Sequence, residues 1–248
     1  NVDAAEVHED LAYAVNRDGP ENLGHYAAEA NIPVFHVSTD YVFDGAKGAP
    51  YTEEDEPNPV NVYGQSKLAG ERALQQVCEQ SLILRTSWLV GEHGDCFVRR
   101  LIVLMMEKES IDVVADQYSA LTRVDACAAY IWGLAQRVRQ HLPIHWGVTN
   151  FSGSELCSKY DVVKKIFDAL VKKDEKLKCI RINPVSHNFF STSAKRPEYS
   201  LLKIENTNKN YFDFFDLYSS KSLDELIQRI HKKIISQSKT EENLQIDY

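Results

Sequence analysis

The stretch that decides the reading of this chain runs from Ile32 to Lys67: Ile32-Pro-Val-Phe-His-Val-Ser-Thr39, then Asp40-Tyr-Val-Phe-Asp-Gly45, a polar loop marked by Pro57 and Pro59, and Tyr63-Gly-Gln-Ser-Lys67. Its first segment is apolar and β-branched and is followed by polar residues, which predicts a buried parallel strand. Thr39 and Asp40 then fall at the carboxyl end of that strand, the edge where ligands bind in open α/β sheets. Asp44-Gly45 is a turn signal, and Pro57 and Pro59 hold the next segment out of helix. A helix is therefore expected from about Asn61 to Val77. On it Tyr63 and Lys67 are four residues apart and share a face.

Those residues suit carbonyl reduction. A tyrosine has an ordinary pKa near 10, and a nearby ammonium favours its phenolate, so Lys67 is expected to lower the Tyr63 pKa toward neutrality. Lys67 is also expected to hold a ribose hydroxyl, and the Thr39 hydroxyl to polarise the carbonyl whose oxygen gains charge. The bare Tyr-x-x-x-Lys spacing discriminates poorly, because it occurs three times, at Tyr63/Lys67, Tyr160/Lys164 and Tyr199/Lys203. Tyr160/Lys164 lies within an amphipathic helix expected from Glu155 to Lys172, with Leu156, Val163, Phe167 and Leu170. There the tyrosine reads as core and the lysine as a solvated charge. Tyr199/Lys203 follows Arg196-Pro197 in a loop. Only the first pair follows a strand ending in Ser-Thr-Asp.

The segments STDYVFDGAKGAPYTEEDEPNPVNVYGQSKLAGE and LILRTSWLVGEHGDCF closely resemble the dTDP-4-dehydrorhamnose reductases, members of the extended short-chain dehydrogenase/reductases. The resemblance runs from about Asn1 to Ile235 and is strongest between Ser38 and Gly91. It implies an α/β fold: a Rossmann-like, doubly wound parallel sheet over 1–147, and a small carboxyl-terminal α/β substrate domain, mainly 148–235. It also implies NADPH or NADH as cofactor and a nucleotide-linked 4-keto-6-deoxy sugar as the molecule reduced. By position, Thr39, Tyr63 and Lys67 match the family's catalytic triad and Asp40 an acidic neighbour. Ser38, Tyr63, Lys67, Thr86 and Ser87 fall where the cofactor is held. Thr39, Tyr41, Trp88 and Arg196 fall where the sugar nucleotide is held, and a guanidinium suits a diphosphate. Asn16 matches a family asparagine and reads equally as a structural hydrogen-bonding residue beneath the site. Cys96-Phe97 and Ser119-Ala-Leu-Thr122 depart from the family's Asn-Phe and Gly-x-Pro-Thr, which touches the nucleotide and sugar assignment and not the reduction chemistry.

The glycine-rich turn that seats a pyrophosphate on a helix amino terminus does not occur between Asn1 and Tyr248. The resemblance places it in a first βα unit, so the chain is expected to lack the amino-terminal part of its Rossmann fold. By itself it is then expected to bind a dinucleotide weakly. Residues 1–6 read as a loop, Leu11 to Glu29 as a helix, Ser81 to Ser87 as a buried strand, Phe97 to Met106 and Val124 to Arg139 as helices, and Ile111–Ala115 and Ile144–Phe151 as strands. Lys172 to Lys178 reads as a charged turn, Leu223 to Ile235 as a last helix, and 236–248 as a disordered polar tail.

The chain has 248 residues with 44% hydrophobic content, enough to bury a sizeable core, and a net charge of −8, which argues against a nucleic-acid surface. No apolar run is long enough to span a membrane and no secretory signal opens the sequence. The 5 cysteines are scattered without metal-ligand spacing and read as reduced thiols, so a cytoplasmic location is expected. The expected partner is the nucleotide-linked deoxy sugar, with a homodimer as the assembly to consider.

Three other readings compete. A sugar dehydratase would follow the threonine with Asp-Glu, whereas here Asp40-Tyr41 follows. The regulatory β subunit of methionine adenosyltransferase, which would bind a synthetase partner, resembles the same segments but has Arg-Ile-Pro where this chain has Arg85-Thr86-Ser87-Trp88. An inactive remnant is the third alternative.

Overall fold

The computed structural model describes residues 1–94, 96–171, 177–205 and 223–245, with side chains in the last stretch described to residue 237. Three parallel strands form the sheet that bears the candidate site: β1 (Val34–Thr39), β2 (Ser81–Thr86) and β7 (Gly147–Asn150), in the order β1-β2-β7. The register pairs Thr39 with Thr86 and Arg85 with Asn150, so the strands end at one common edge. Every residue of β2 is buried, as expected of a central parallel strand covered on both faces.

Helix α4 (Val62–Val77) connects β1 to β2 and closes a βαβ unit. It starts where the prolines release the chain: Asn61 caps it, its side chain accepting from the Gly64 amide at 2.7 Å. Two glycines let α4 lie close to its neighbours. A Cβ at Gly64 would stand 2.1 Å from the Tyr41 carbonyl oxygen, and one at Gly70 only 1.8 Å from that of Asn16. The face beneath is Leu74, Cys78 and Ile83 with Ala27, Val34, Val77 and Val148 packed against them. Helix α6 (Val124–Arg139) covers the other face through Cys127, Tyr130 and Leu134 against Leu82, Leu84 and Phe151.

The largest apolar cluster gathers later elements of the described chain. Parallel strands β4 (Ser110–Val114) and β9 (Arg181–Val185) pack with α5 (Phe97–Glu107), α7 (Lys159–Leu170) and α8 (Leu223–Gln245) around Ile102, Met105, Val163, Ile166, Ile227 and Ile230. Four two-residue strands make two further pairs, β3 (Leu89–Val90) with β6 (Thr122–Arg123) and β5 (Tyr118–Ser119) with β8 (Cys157–Ser158).

Several boundaries differ from the sequence reading. Residues expected as an opening loop form α1 (Val2–Val7), because Asn1 caps it by accepting from the Ala4 amide at 3.2 Å. The helix expected over Leu11–Glu29 is divided into α2 (Glu9–Tyr13), a π-helical turn (Ala14–Asp18) and α3 (Gly19–Glu29), the break falling just before Pro20. Helix α7 begins at Lys159 rather than Glu155, since Ser158 and Asp161 form a reciprocal capping box. The expected disordered tail is corrected up to Gln245: α8 runs 23 residues, with no glycine or proline to stop it and with lysine, glutamate and glutamine, good helix formers, through its end. Residues 246–248, and most of the charged turn expected at Lys172–Lys178, lie outside the described residues.

Candidate active site

Strand β1 passes directly into a single 3₁₀ turn, Asp40–Val42, and this sharp exit places Thr39 at the sheet edge. The Thr39 hydroxyl oxygen accepts the Tyr41 amide at 3.2 Å and its hydroxyl donates to Asp40 Oδ1 at 3.2 Å. Tyr63, on the first turn of α4, lies beside the Thr39 side chain and meets the Tyr41 ring edge-on at a centroid distance of 5.9 Å. The structure thus brings Thr39, Asp40, Tyr41 and Tyr63 together.

Lys67 is one turn further along α4, and its ammonium is turned to the strand. It donates to the Val37 carbonyl at 2.8 Å and lies 3.2 Å from His36 Nε2. The expected lowering of the Tyr63 pKa by Lys67 is therefore corrected. Burial raises the phenol above its usual value, the nearby Thr39 hydroxyl opposes this, the Asp40 charge adds to it, and Lys67 does not act on it. Lys67 itself is lowered by burial, with Glu71 opposing.

Asp40 is buried at 3% exposure, and burial pushes its carboxyl up to about 6 against hydrogen bonds from Ser200, at 2.5 Å to Oδ2, and Thr39. Burial likewise drives Tyr41 well above the ordinary phenol range. Arg196 lies beside the Tyr41 side chain and clamps Asp3 with distances of 2.5 and 3.2 Å. Its guanidinium, expected at a diphosphate, is here committed to a carboxylate of α1. Lys159, at the start of α7, donates to Gln117 Oε1 and lies in the electrostatic reach of Arg196, Asp40, Asp116 and Asp3. Burial, then the Arg196 charge, brings its pKa down to about 8.

Of the five residues expected along the cofactor edge, Thr86, Ser87 and Ser38 differ from one another in their surroundings. Thr86 ends β2 beside Thr39, and its buried Oγ1 has no hydrogen-bond partner. The Ser87 hydroxyl donates to the Ala120 carbonyl at 3.2 Å. Ser38 alternates to the opposite face of β1 and donates to Glu71, which Arg85 holds through bonds of 2.7, 3.1 and 3.2 Å. Trp88 has a left-handed φ of 36°, costly for a bulky residue, and sets its ring edge-on to Phe97 at 5.9 Å. Asn16 donates to the Ser66 hydroxyl at 3.0 Å, in keeping with the structural reading.

Five participants escaped the sequence reading: His36, Glu71, Arg85, Lys159 and Ser200. Two left a usable signal. His36 shares strand parity with Ser38, and Glu71 follows Lys67 by four residues on the same helix face. Lys159 and Ser200 come from distant segments that only the tertiary fold brings to Asp40.

A parallel βαβ unit with polar side chains gathered at the carboxyl ends of its strands defines a Rossmann-like α/β protein. The description RmlD substrate binding domain matches residues 1–231. A dTDP-4-dehydrorhamnose reductase of Aggregatibacter actinomycetemcomitans is 37% identical over 204 residues, 82% of this chain and 69% of the relative. Among solved structures, the dTDP-4-dehydrorhamnose reductase of Clostridium acetobutylicum superposes with a TM-score of 0.76 at 30% identity, covering 96% of this chain and 78% of that one. That of Bacillus anthracis, in complex with NADP, gives 0.75 at 31% identity, covering 95% and 77%. The chain belongs to the dTDP-4-dehydrorhamnose reductase family. Among its described residues no helix is long and apolar enough to cross a membrane, and no cluster of three metal-ligating side chains occurs.

Proposed function

We propose that this chain reduces the C4 ketone of a nucleotide-linked 4-keto-6-deoxy sugar, with NADPH or NADH as the reductant, and that Thr39, Tyr63 and Lys67 do the protein's part. The observation that supports this most is the meeting of the Thr39 side chain and the Tyr63 phenol at the carboxyl edge of β1, which gathers two hydroxyls there. A reduced nicotinamide bound there would supply the hydride. The fit is supported by Thr86, whose buried hydroxyl lacks a partner on the same edge and would meet such a group.

The protein's contribution is a proton and a charge. The raised pKa of Tyr63 keeps the phenol protonated at neutral pH, the state required of an acid that protonates the nascent alkoxide. Thr39 would polarise the same carbonyl oxygen once its hydroxyl turns to it from Asp40, and Lys67 adds positive charge from the same face of α4. Asp40 is held by Ser200 and Thr39 and orients the threonine hydroxyl. Tyr41 and Trp88 are assigned to the sugar. Arg196 is assigned to the diphosphate, for which it would exchange the Asp3 carboxylate for a phosphate of similar bidentate geometry. The segment after Ala194, which reaches Asp3, Asp40 and Asn61, is proposed as part of a substrate domain. The test is NADPH oxidation in the presence of dTDP-4-dehydrorhamnose; absence of turnover with cofactor bound overturns the assignment.

A further inference from the structure

An ammonium has three N–H donors and no acceptor, so its direction is set once two of them are fixed. Strand β1 fixes two for Lys67: the Val37 carbonyl takes one at 2.8 Å, and His36 Nε2 faces another at 3.2 Å. The second contact requires an unprotonated Nε2. Burial and then the Lys67 charge lower His36 to about 4, so the ring is neutral at neutral pH with its proton on Nδ1. The remaining charges nearby form a closed set. Glu71, on α4 beyond Lys67, is bound by Ser38 of β1 and Arg85 of β2, while Ile83, opposite His36 in the sheet, brings none.

We propose that His36 is a positioning residue: its neutral imidazole and the Val37 carbonyl together hold the Lys67 ammonium so that the third N–H is directed away from the strand, toward the Tyr63 side of the site. The catalytic consequence rests on the reductase reading above; the dyad itself does not. The same strand therefore presents both ends of the site, Thr39 to the substrate carbonyl and His36 to the lysine three residues earlier.

The experiment uses the whole chain with nitrogen-15-labelled histidine. Neutral-pH shifts showing the Nδ1–H tautomer and a titration midpoint near 4 are expected for His36, with the midpoint moving upward in Lys67→Met. An Nε2–H tautomer, or a midpoint that Lys67→Met leaves in place, overturns the proposal. In turnover, His36→Leu is expected to lower kcat ~10- to 100-fold and to move the alkaline limb of its pH profile, with KM for the nucleotide sugar little changed. His36→Gln, whose carbonyl oxygen reaches the place of Nε2, is expected to restore most of the rate. Equal losses in both variants, or none in His36→Leu, also overturn it. If the wild type shows no reductase turnover, the functional reading fails alone, and the tautomer and midpoint still decide the dyad.

Discussion

Helices α4 and α7 carry the same Tyr-x-x-x-Lys spacing, and each starts with a side-chain cap, Asn61 on one and Ser158 on the other. They differ in what lies beside the first turn. Tyr63 meets a strand carboxyl end, with the Thr39 hydroxyl beside it and the Tyr41 ring against it. Tyr160 packs, half-buried, on the cluster of Val163, Ile166 and Ile227, and Lys164 is exposed. Lys67, by contrast, is 9% exposed and held by two groups of β1. Spacing puts two side chains on one face; the neighbouring strand decides whether that face is a site.

The largest effect expected from this difference is on turnover. Tyr63→Phe removes one proton donor and almost no surface, so kcat should fall on the order of 10²- to 10⁴-fold with KM for the nucleotide sugar nearly unchanged. Steady-state NADPH oxidation measures both. A near-normal rate would transfer the acid role to Asp40 or to water and would leave α4 no more special than α7.

The next effect is on stability, and it contrasts the acidic partners of the two helices. Glu71 is 1% exposed and joined to Arg85 and Ser38, whereas Glu155 meets Lys165 at 2.5 Å with its side chain 76% exposed. Glu71→Gln leaves a buried guanidinium without its counter-charge and should cost about 3–5 kcal/mol in urea unfolding. Glu155→Gln should cost under ~1 kcal/mol. Similar losses would mean that water reaches the Glu71 pair.

Within the α4 site, two groups near the end of β1 should give opposite pH signatures. The Asp40 pKa is raised from 3.8 to about 6 by burial, so the folded state binds the extra proton; that stabilisation is complete below pH 3.8 and is lost as pH rises through 6. The loss is on the order of 3 kcal/mol. His36 is lowered from 6.5 to about 4, so its contribution is present above pH 6.5 and is lost as pH falls through 4. Measured by urea unfolding across pH 4–6.5, Asp40→Asn should gain on wild type as pH rises, and His36→Gln should lose on it. Slopes of one sign would place one of the groups in water.

What the sequence made legible was the part governed by local rules. The apolar run before Thr39 gave β1, Pro57 and Pro59 marked where α4 could begin, and the common edge of Thr39 and Thr86 followed from parallel strands. The direction of the Lys67 ammonium was not legible, because it depends on a strand carbonyl and an imidazole 30 and 31 residues away. For the same reason the raised Tyr63 pKa could not be read: it comes mainly from burial under the assembled fold. Arg196 was found by its motif, but its Asp3 partner stands 193 residues earlier.

The smallest effect belongs to the second helix, and it tests the comparison from the other side. Tyr160→Phe removes a hydroxyl from a ring that packs against the apolar cluster, and Lys164→Gln removes a charge from an exposed position. Among the described residues no hydrogen bond joins either side chain to β1, Thr39 or Asp40, so kcat and KM should stay within a few-fold of wild type. Stability should change by no more than about 0.5 kcal/mol for the exposed lysine. Lys159, directly before Tyr160, is the sensitive position on this helix, since its ammonium meets Gln117 and feels Asp40 and Arg196. Lys159→Gln should therefore raise KM for the nucleotide sugar more than Lys164→Gln does. Assayed side by side on the same substrate, an equal response of the two lysines would show that α7 contributes only packing, and that the site ends at Arg196.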